Sequence, residues 1–189
     1  VTGRVTVVIP TIPPRRDLLM RALNSVWNQE RPADAVSIAV DHHHEGAWVT
    51  RQRALDAVQT EWTAFLDDDN AFLPDHLSSL MDHAAKTGAD YVFSYFDTWE
   101  SKSIDPLRVF GKPFDNANPH HTTMTILVRT ELAKSVGFTP PSPGDLVGGE
   151  DWRFTLGCVE RNAKIVHLPK YTWVWYWSYT NTSGMPDRW

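Results

Sequence analysis

Over residues 4–96 the chain alternates between two hydrophobic rhythms. Short, nearly unbroken apolar runs fall at residues 4–10 (RVTVVIP), 35–40, 62–66 and 91–96. All four predict strands, and the first, nearly all apolar, predicts one buried on both faces. Between them, apolar residues recur three and four apart. Residues 17–29 place Leu19, Leu23 and Val26 or Trp27 on one helical face, with Asp17 as a candidate cap, after a break at Pro13-Pro14. Residues 48–59 predict a second helix. The segment opened by Pro74-Asp75 predicts a third, carrying Leu77, Leu80, Met81 and Ala84 and closed by Gly88. Strand and helix in alternation predict a parallel sheet with helices on its faces.

The second half is less regular. Residues 122–129 predict a strand, 131–136 a short helix ended by Gly137, and 150–162 a longer helix with Trp152, Leu156 and Val159 roughly on one side. Residues 165–168 and 171–177 predict two more strands. The TPPSPGDLVGG stretch at 139–149 is too rich in Pro and Gly for either element. No internal repeat or linker divides the chain, so residues 1–189 read as one α/β domain with a mixed, mainly parallel sheet.

Composition narrows the function classes. A net charge of −5 argues against an electrostatic grip on nucleic acid. No apolar run approaches the ~20 residues of a membrane span. No signal peptide opens the chain, and Val1 in place of an initiator Met reads as a processed or engineered start. Cys158 stands alone, which excludes an intramolecular disulfide and a cysteine-based zinc site and fits a reducing cytoplasm.

In parallel sheets, ligands sit beyond the carboxyl ends of the strands. Thr11, Asp41 and the run Asp67-Asp68-Asp69 all fall at such ends. Three adjacent carboxylates need a counter-charge. Oxygen ligands without thiolate favour Mg²⁺ or Mn²⁺, usually shared with substrate phosphates; the plain alternative is a solvated turn capping the next helix. Gly149-Glu150-Asp151-Trp152 delivers two more acids to a helix start, either as simple dipole caps or as a general base behind a mobile loop. His42-His43-His44 reads as a polar loop near a ligand, since three adjacent His cannot easily face one ion. His120-His121 reads as an exposed loop, with acceptor binding as the alternative. Trp173, Trp175 and Trp177 alternate on one strand face, as a core layer or as a stacking platform. Neither a G-x-x-x-x-G-K-[ST] loop nor a G-x-G-x-x-G turn is present, so a phosphate-bearing ligand would rely on a metal and on Arg or Lys.

In order and spacing, these segments resemble the family 2 inverting glycosyltransferases of the GT-A fold. The resemblance is carried by VTVVIPT, LLMRALNSVWNQ, GAWVTRQRAL, AFLDDDNAFLPDHL, GGEDWRF and NTSG at 181–184, and it covers nearly the whole chain. It implies transfer of a sugar from a nucleoside diphosphate sugar to an acceptor hydroxyl, assisted by Mn²⁺ or Mg²⁺. Pro10, Thr11, Asp41, Arg51, Asp67 and Asp68 would hold the nucleotide end. Asp69, with Asp67, would bind the metal. Asp151 would take the acceptor proton, and Glu150 would orient the site. The acceptor class, whether glycan, protein, lipid or modified nucleobase, stays open.

Three departures stand out. Gln52 replaces the usual Asn after the arginine. Ser178 and Tyr179 stand where a His often precedes N-T-S. The chain is short for the family, so acceptor binding would be minimal or shared with another subunit, as in a homo-oligomer. Two other classes compete: a nucleotidyltransferase, whose Gly-rich basic loop is missing from Thr11-Ile12-Pro13-Pro14-Arg15-Arg16, and a catalytically idle carbohydrate- or nucleotide-binding protein of the same fold.

Overall fold

The computed structural model describes residues 3–99, 113–140 and 149–176. The predicted strand–helix alternation is present. Strand β1 spans Val5–Thr11, a 3-10 turn Pro13–Arg15, helix α1 Arg16–Trp27, β2 Ala35–Val40, α2 Ala47–Asp56 and β3 Trp62–Phe65. Then come β4 Ala71–Phe72, α3 His76–Thr87, β5 Tyr91–Trp99 and β6 Ile126–Arg129. Helix α4 spans Thr130–Val136, α5 Gly149–Glu160 and β7 Ile165–Tyr176.

The described strands form one sheet in the order β2-β1-β3-β6-β5-β7-β4. β1 pairs in parallel with β2 and β3, and β5 in parallel with β7, while β6 and β4 run against their neighbours. The sheet is therefore mixed, with five of its seven strands sharing one direction. Every residue of β1 is buried, which explains its unbroken apolar run. β2 lies at the edge and is only partly covered. Pro10 sits inside β1, beyond the last residue paired with β3, where its missing N–H costs no ladder bond on that side.

Several boundaries differ from expectation. Asp17 does not cap α1: the cap position is Arg15, without a side-chain cap bond, and Asp17 lies within the first turn. The 122–129 strand begins only at Ile126. The two C-terminal strands are one. β7 runs through Pro169, and its register against β5 shifts there from Leu168↔Ser94 to Tyr171↔Tyr95. A bulge leaves Pro169 and Lys170 unpaired, which suits a residue with no N–H to donate. β4 was not anticipated. Its two residues, Ala71 and Phe72, are specified by pairing with Val174 and Trp173, far away in sequence. Trp173 and Trp175 pack in the core around Phe96, as the core-layer reading expected; Trp177 lies outside the described residues. Gly88 closes α3 in the left-handed conformation.

Candidate active site

The upper edge of the sheet gathers the ends of β1, β2 and β3 and the start of α5. Asp41, just past β2, is buried, and its carboxylate accepts bonds from the N–H groups of His43, Glu45 and Gly46 at 2.9–3.1 Å. Burial would raise this carboxyl, but the donors outweigh it and hold it below the usual carboxylate range. Gly46 has φ of 106°, a conformation that glycine adopts without strain, and its turn launches α2. His42, His43 and His44 are exposed on the turn that Asp41 organises.

The three acids after β3 have different surroundings. Asp68 is buried. Thr11 Oγ1 donates to its Oδ2 at 2.6 Å, and Arg15 Nη1 to its Oδ1 at 2.9 Å. Even so, burial raises its pKa. Asp69 lies 3.5 Å from Arg15, and its backbone carbonyl accepts from Arg21 Nη2 at 2.6 Å. Burial, together with the neighbouring charges of Asp67 and Asp68, pushes its carboxyl up to about 7. Asp67 is about one-third exposed and accepts from Arg51 Nη2 at 2.9 Å. Asn70 closes the turn, its N–H on the Asp67 carbonyl and its side-chain oxygen accepting from the Tyr176 N–H.

Arg51 joins this cluster to the second one. It projects from α2 with its side chain 4% exposed. Besides Asp67, its Nη1 faces Asp151 at 3.4 Å and Glu150 at 3.8 Å, both on the first turn of α5. Burial opposes its charge, but Asp151, Asp67 and Glu150 overcome that and hold the guanidinium above its ordinary value. Asp151 is pushed up to about 7 by burial and by the charges of Glu150 and Asp67, against the opposing pull of Arg51.

An aromatic group fixes where α5 begins. Phe138 stacks on Phe154 of α5 with centroids 4.7 Å apart, meets Phe65 of β3 edge-on at 5.5 Å, and lies 5.3 Å beneath the Arg51 guanidinium. Gln52 accounts for one departure from the family pattern. Its Oε1 accepts from the Phe138 N–H at 2.7 Å, so this residue holds the backbone at Phe138. Trp152 stacks on His121 at 4.3 Å, and Thr155 bonds the Asp151 carbonyl.

The structure thus gathers Thr11, Arg51, Asp67, Asp68, Asp69, Glu150 and Asp151 into one connected cluster. Asp41 and Pro10 flank it at the neighbouring strand ends. The sequence reading missed Arg15, Arg21, Asn70 and Phe138. The signal for Arg15 was present, as a base directly after β1, but which carboxylate it would meet was not. Residues 141–148 and the NTSG signature lie outside the described residues. Among the described residues, no group of three or more His, Cys, Asp or Glu side chains converges as metal ligands, and no helix is long and apolar enough to cross a membrane.

Residues 34–108 match the model of the glycosyl transferase family 2. That segment holds Asp41, Arg51 and all three acids after β3. No protein of curated function matches the chain in sequence. In fold the chain is similar to S. aureus TarS. Against TarS residues 1–349 in complex with UDP-GlcNAc, the TM-score is 0.79 at 17% identity, over 96% of this chain and 61% of that one. Against the same piece in complex with UDP it is 0.72 at 18% identity, over 93% and 61%. Against a further TarS structure it is 0.72 at 18% identity, over 94% and 37%. The chain therefore spans about three-fifths of the TarS 1–349 piece. The fold is GT-A, and the family resemblance is borne out over residues 34–108.

Proposed function

We propose that this domain transfers a sugar from a nucleoside diphosphate sugar to an acceptor hydroxyl, with inversion at the anomeric carbon. The observation that carries the reading is Arg51. It joins Asp67, at the end of β3, to Glu150 and Asp151, at the start of α5, so two motifs more than 80 positions apart share one buried guanidinium. The family match over residues 34–108 and the likeness to a fold solved with UDP-GlcNAc in TarS support the donor class.

In this reading, Pro10, Thr11, Asp41, Arg51, Asp67 and Asp68 border the nucleotide end. A divalent cation fits the donor set. Asp68 is already hydrogen-bonded by Thr11 and Arg15, while Asp69 is buried, raised to about 7 and meets Arg15 at the longer distance of 3.5 Å. Asp69 and Asp67 would hold Mn²⁺ or Mg²⁺ together with the donor's phosphates, and the ion would neutralise charge on the departing diphosphate. Asp151 takes the acceptor's hydroxyl proton as that oxygen bonds to the anomeric carbon. The bond from that carbon to the diphosphate oxygen breaks on the opposite side, and the nucleoside diphosphate leaves. A carboxyl near 7 suits a base working at neutral pH. Glu150, buried against Arg51, keeps the guanidinium and hence Asp151 in place. The setting is cytoplasmic, the acceptor a glycan, protein, lipid or modified nucleobase, and further acceptor contacts come from another part of the protein or a second copy.

The test is release of nucleoside diphosphate from a panel of sugar donors, with and without chelator, for the wild type and Arg51→Ala. One donor should turn over only with the metal, and Arg51→Ala should abolish it. Turnover of nucleoside triphosphates, with no sugar donor used, would favour a nucleotidyltransferase.

A further inference from the structure

This inference rests on the glycosyltransferase reading and concerns a residue outside the set named there. Arg15 ends the 3-10 turn directly after β1, and Pro13 and Pro14 make that turn's backbone stiff. Its guanidinium lies over the acid cluster, with Nη1 2.9 Å from Asp68 Oδ1 and 3.5 Å from Asp69 Oδ2, and its side chain is 18% exposed. The other two arginines at this edge are engaged elsewhere. Arg51 is held by Asp67 and the α5 acids, while Arg21 bonds the Asp69 carbonyl and lies 3.8 Å over the Tyr176 ring. Arg15 is thus the guanidinium that faces the carboxylates of both Asp68 and Asp69.

We propose that Arg15 is a built-in counter-cation: it neutralises Asp68 and Asp69 while the site is empty, yields Asp69 to the divalent cation on loading, and turns to the donor's diphosphate. Two physical facts drive the exchange. A guanidinium and a divalent ion a few ångströms apart repel, so an ion on Asp69 weakens the hold of Arg15 there. A diphosphate offers the planar fork of Arg paired oxygens, a geometry that a guanidinium matches bidentately. With the turn's backbone held, the movement belongs to the side chain alone. Thr11 stays bonded to Asp68 throughout and covers the carboxylate that Arg15 leaves. In the empty protein, Arg15 competes with the metal; in the loaded one, it helps hold the nucleotide.

The experiment measures binding, not turnover. Mn²⁺ binding without nucleotide is followed by the loss of the free-ion paramagnetic resonance signal, for the wild type, Arg15→Gln and Arg15→Lys. Calorimetry with UDP and with GDP in the presence of Mn²⁺ then uses whichever nucleotide the wild type binds, and circular-dichroism melts check folding. Arg15→Gln should bind Mn²⁺ alone at least about fivefold more tightly, because a competing charge is gone, and should bind the nucleotide with Mn²⁺ more weakly than the wild type. Arg15→Lys keeps the charge and loses the fork, so its Mn²⁺ affinity should stay near wild type while nucleotide affinity falls. Unchanged or weaker Mn²⁺ binding by a folded Arg15→Gln would overturn the proposal and leave Arg15 as a fixed clamp. If Arg15→Gln does not fold, the Lys variant decides, and nucleotide affinity equal to wild type overturns it. A wild type that binds neither Mn²⁺ nor nucleotide overturns the glycosyltransferase reading itself, whereas the preceding outcomes overturn only the role of Arg15.

Discussion

The acids that end β3 and those that begin α5 are held in different ways. Asp68 and Asp69 follow a strand in the middle of the sheet, and short bonds from Thr11, Arg15 and Arg21 fix their turn. Glu150 and Asp151 meet Arg51 only at 3.8 and 3.4 Å, and their helix is placed by the aromatic packing of Phe138 and Phe154. The first cluster is positioned by hydrogen bonds to its own carboxylates and carbonyl. The second is positioned by a hydrophobic contact one turn away. In the proposed reaction that division separates two tasks: directional bonds fix the acids of the donor end, and hydrophobic packing sets the acids of the acceptor end.

The largest effect expected from breaking the comparison is at Asp151. Asp151→Asn keeps the shape and removes the basicity, so turnover should fall roughly 10²–10⁴-fold with donor affinity nearly unchanged. Glu150→Gln should cost less. In the wild type, kcat/KM should rise with pH up to about 7, because the raised Asp151 carboxyl must lose its proton before it can accept another. A turnover for Asp151→Asn equal to wild type on the true acceptor would place the base elsewhere.

Next is the packing that sets α5. Phe138 is buried against Phe65 and Phe154, and Phe138→Ala should cost about 3–5 kcal/mol in chemical denaturation. Because Asp68 and Asp69 are held by Thr11, Arg15 and Arg21 rather than by this packing, nucleotide binding by the folded fraction should fall less than turnover. Equal loss of both would mean that the two clusters are one rigid unit.

A smaller effect concerns the metal. Asp69→Ala should remove the dependence of donor binding on Mn²⁺ or Mg²⁺, so that chelator no longer weakens it, as calorimetry would show. Wild-type affinity that is the same with and without chelator would exclude the metal assignment.

The smallest is a stability effect with a definite sign. Asp69 has a folded pKa of about 7, above its ordinary value, so the folded chain holds a proton that the unfolded chain releases. That contribution is fully present below the unfolded pKa, near 4, and is lost as pH rises toward 7. The empty protein should therefore melt at a lower temperature at pH 8 than at pH 5 so far as this group decides it. Asp69→Asn should raise the melting temperature at pH 8 by about 2–4 °C, the shift that 1 kcal/mol makes in a chain of this size. A lower melting temperature for that variant at pH 8 would mean that Arg15 more than repays the burial of Asp69.

Much of this was legible in the chain itself. The parallel set β1, β2 and β3 was readable because β1 and β3, buried throughout, are nearly all apolar, and because local periodicity separates the strands from the helices. The strand-end positions of Thr11, Asp41 and the three acids followed from the same pattern. β4 was not readable, since two residues have no periodicity and pair only because Val174 and Trp173 arrive beside them. The continuity of β7 through Pro169 was hidden, since Pro reads as a break unless a bulge absorbs it. Gln52 looked like a loss against the family pattern, and its bond to the Phe138 N–H exists only once α2 and the 138 loop are adjacent.

The sequence by itself determined the sheet's parallel core, the order of the motifs and the identity of the acids, because these depend on local pattern and on covalent neighbours. Only the tertiary structure decided which cation meets which acid. Arg51 could have faced a phosphate or any of five carboxylates, and Arg15 could have pointed into solvent. Pairing at 3–4 Å depends on backbone positions brought together from segments up to 100 residues apart, and no one-dimensional pattern records those distances.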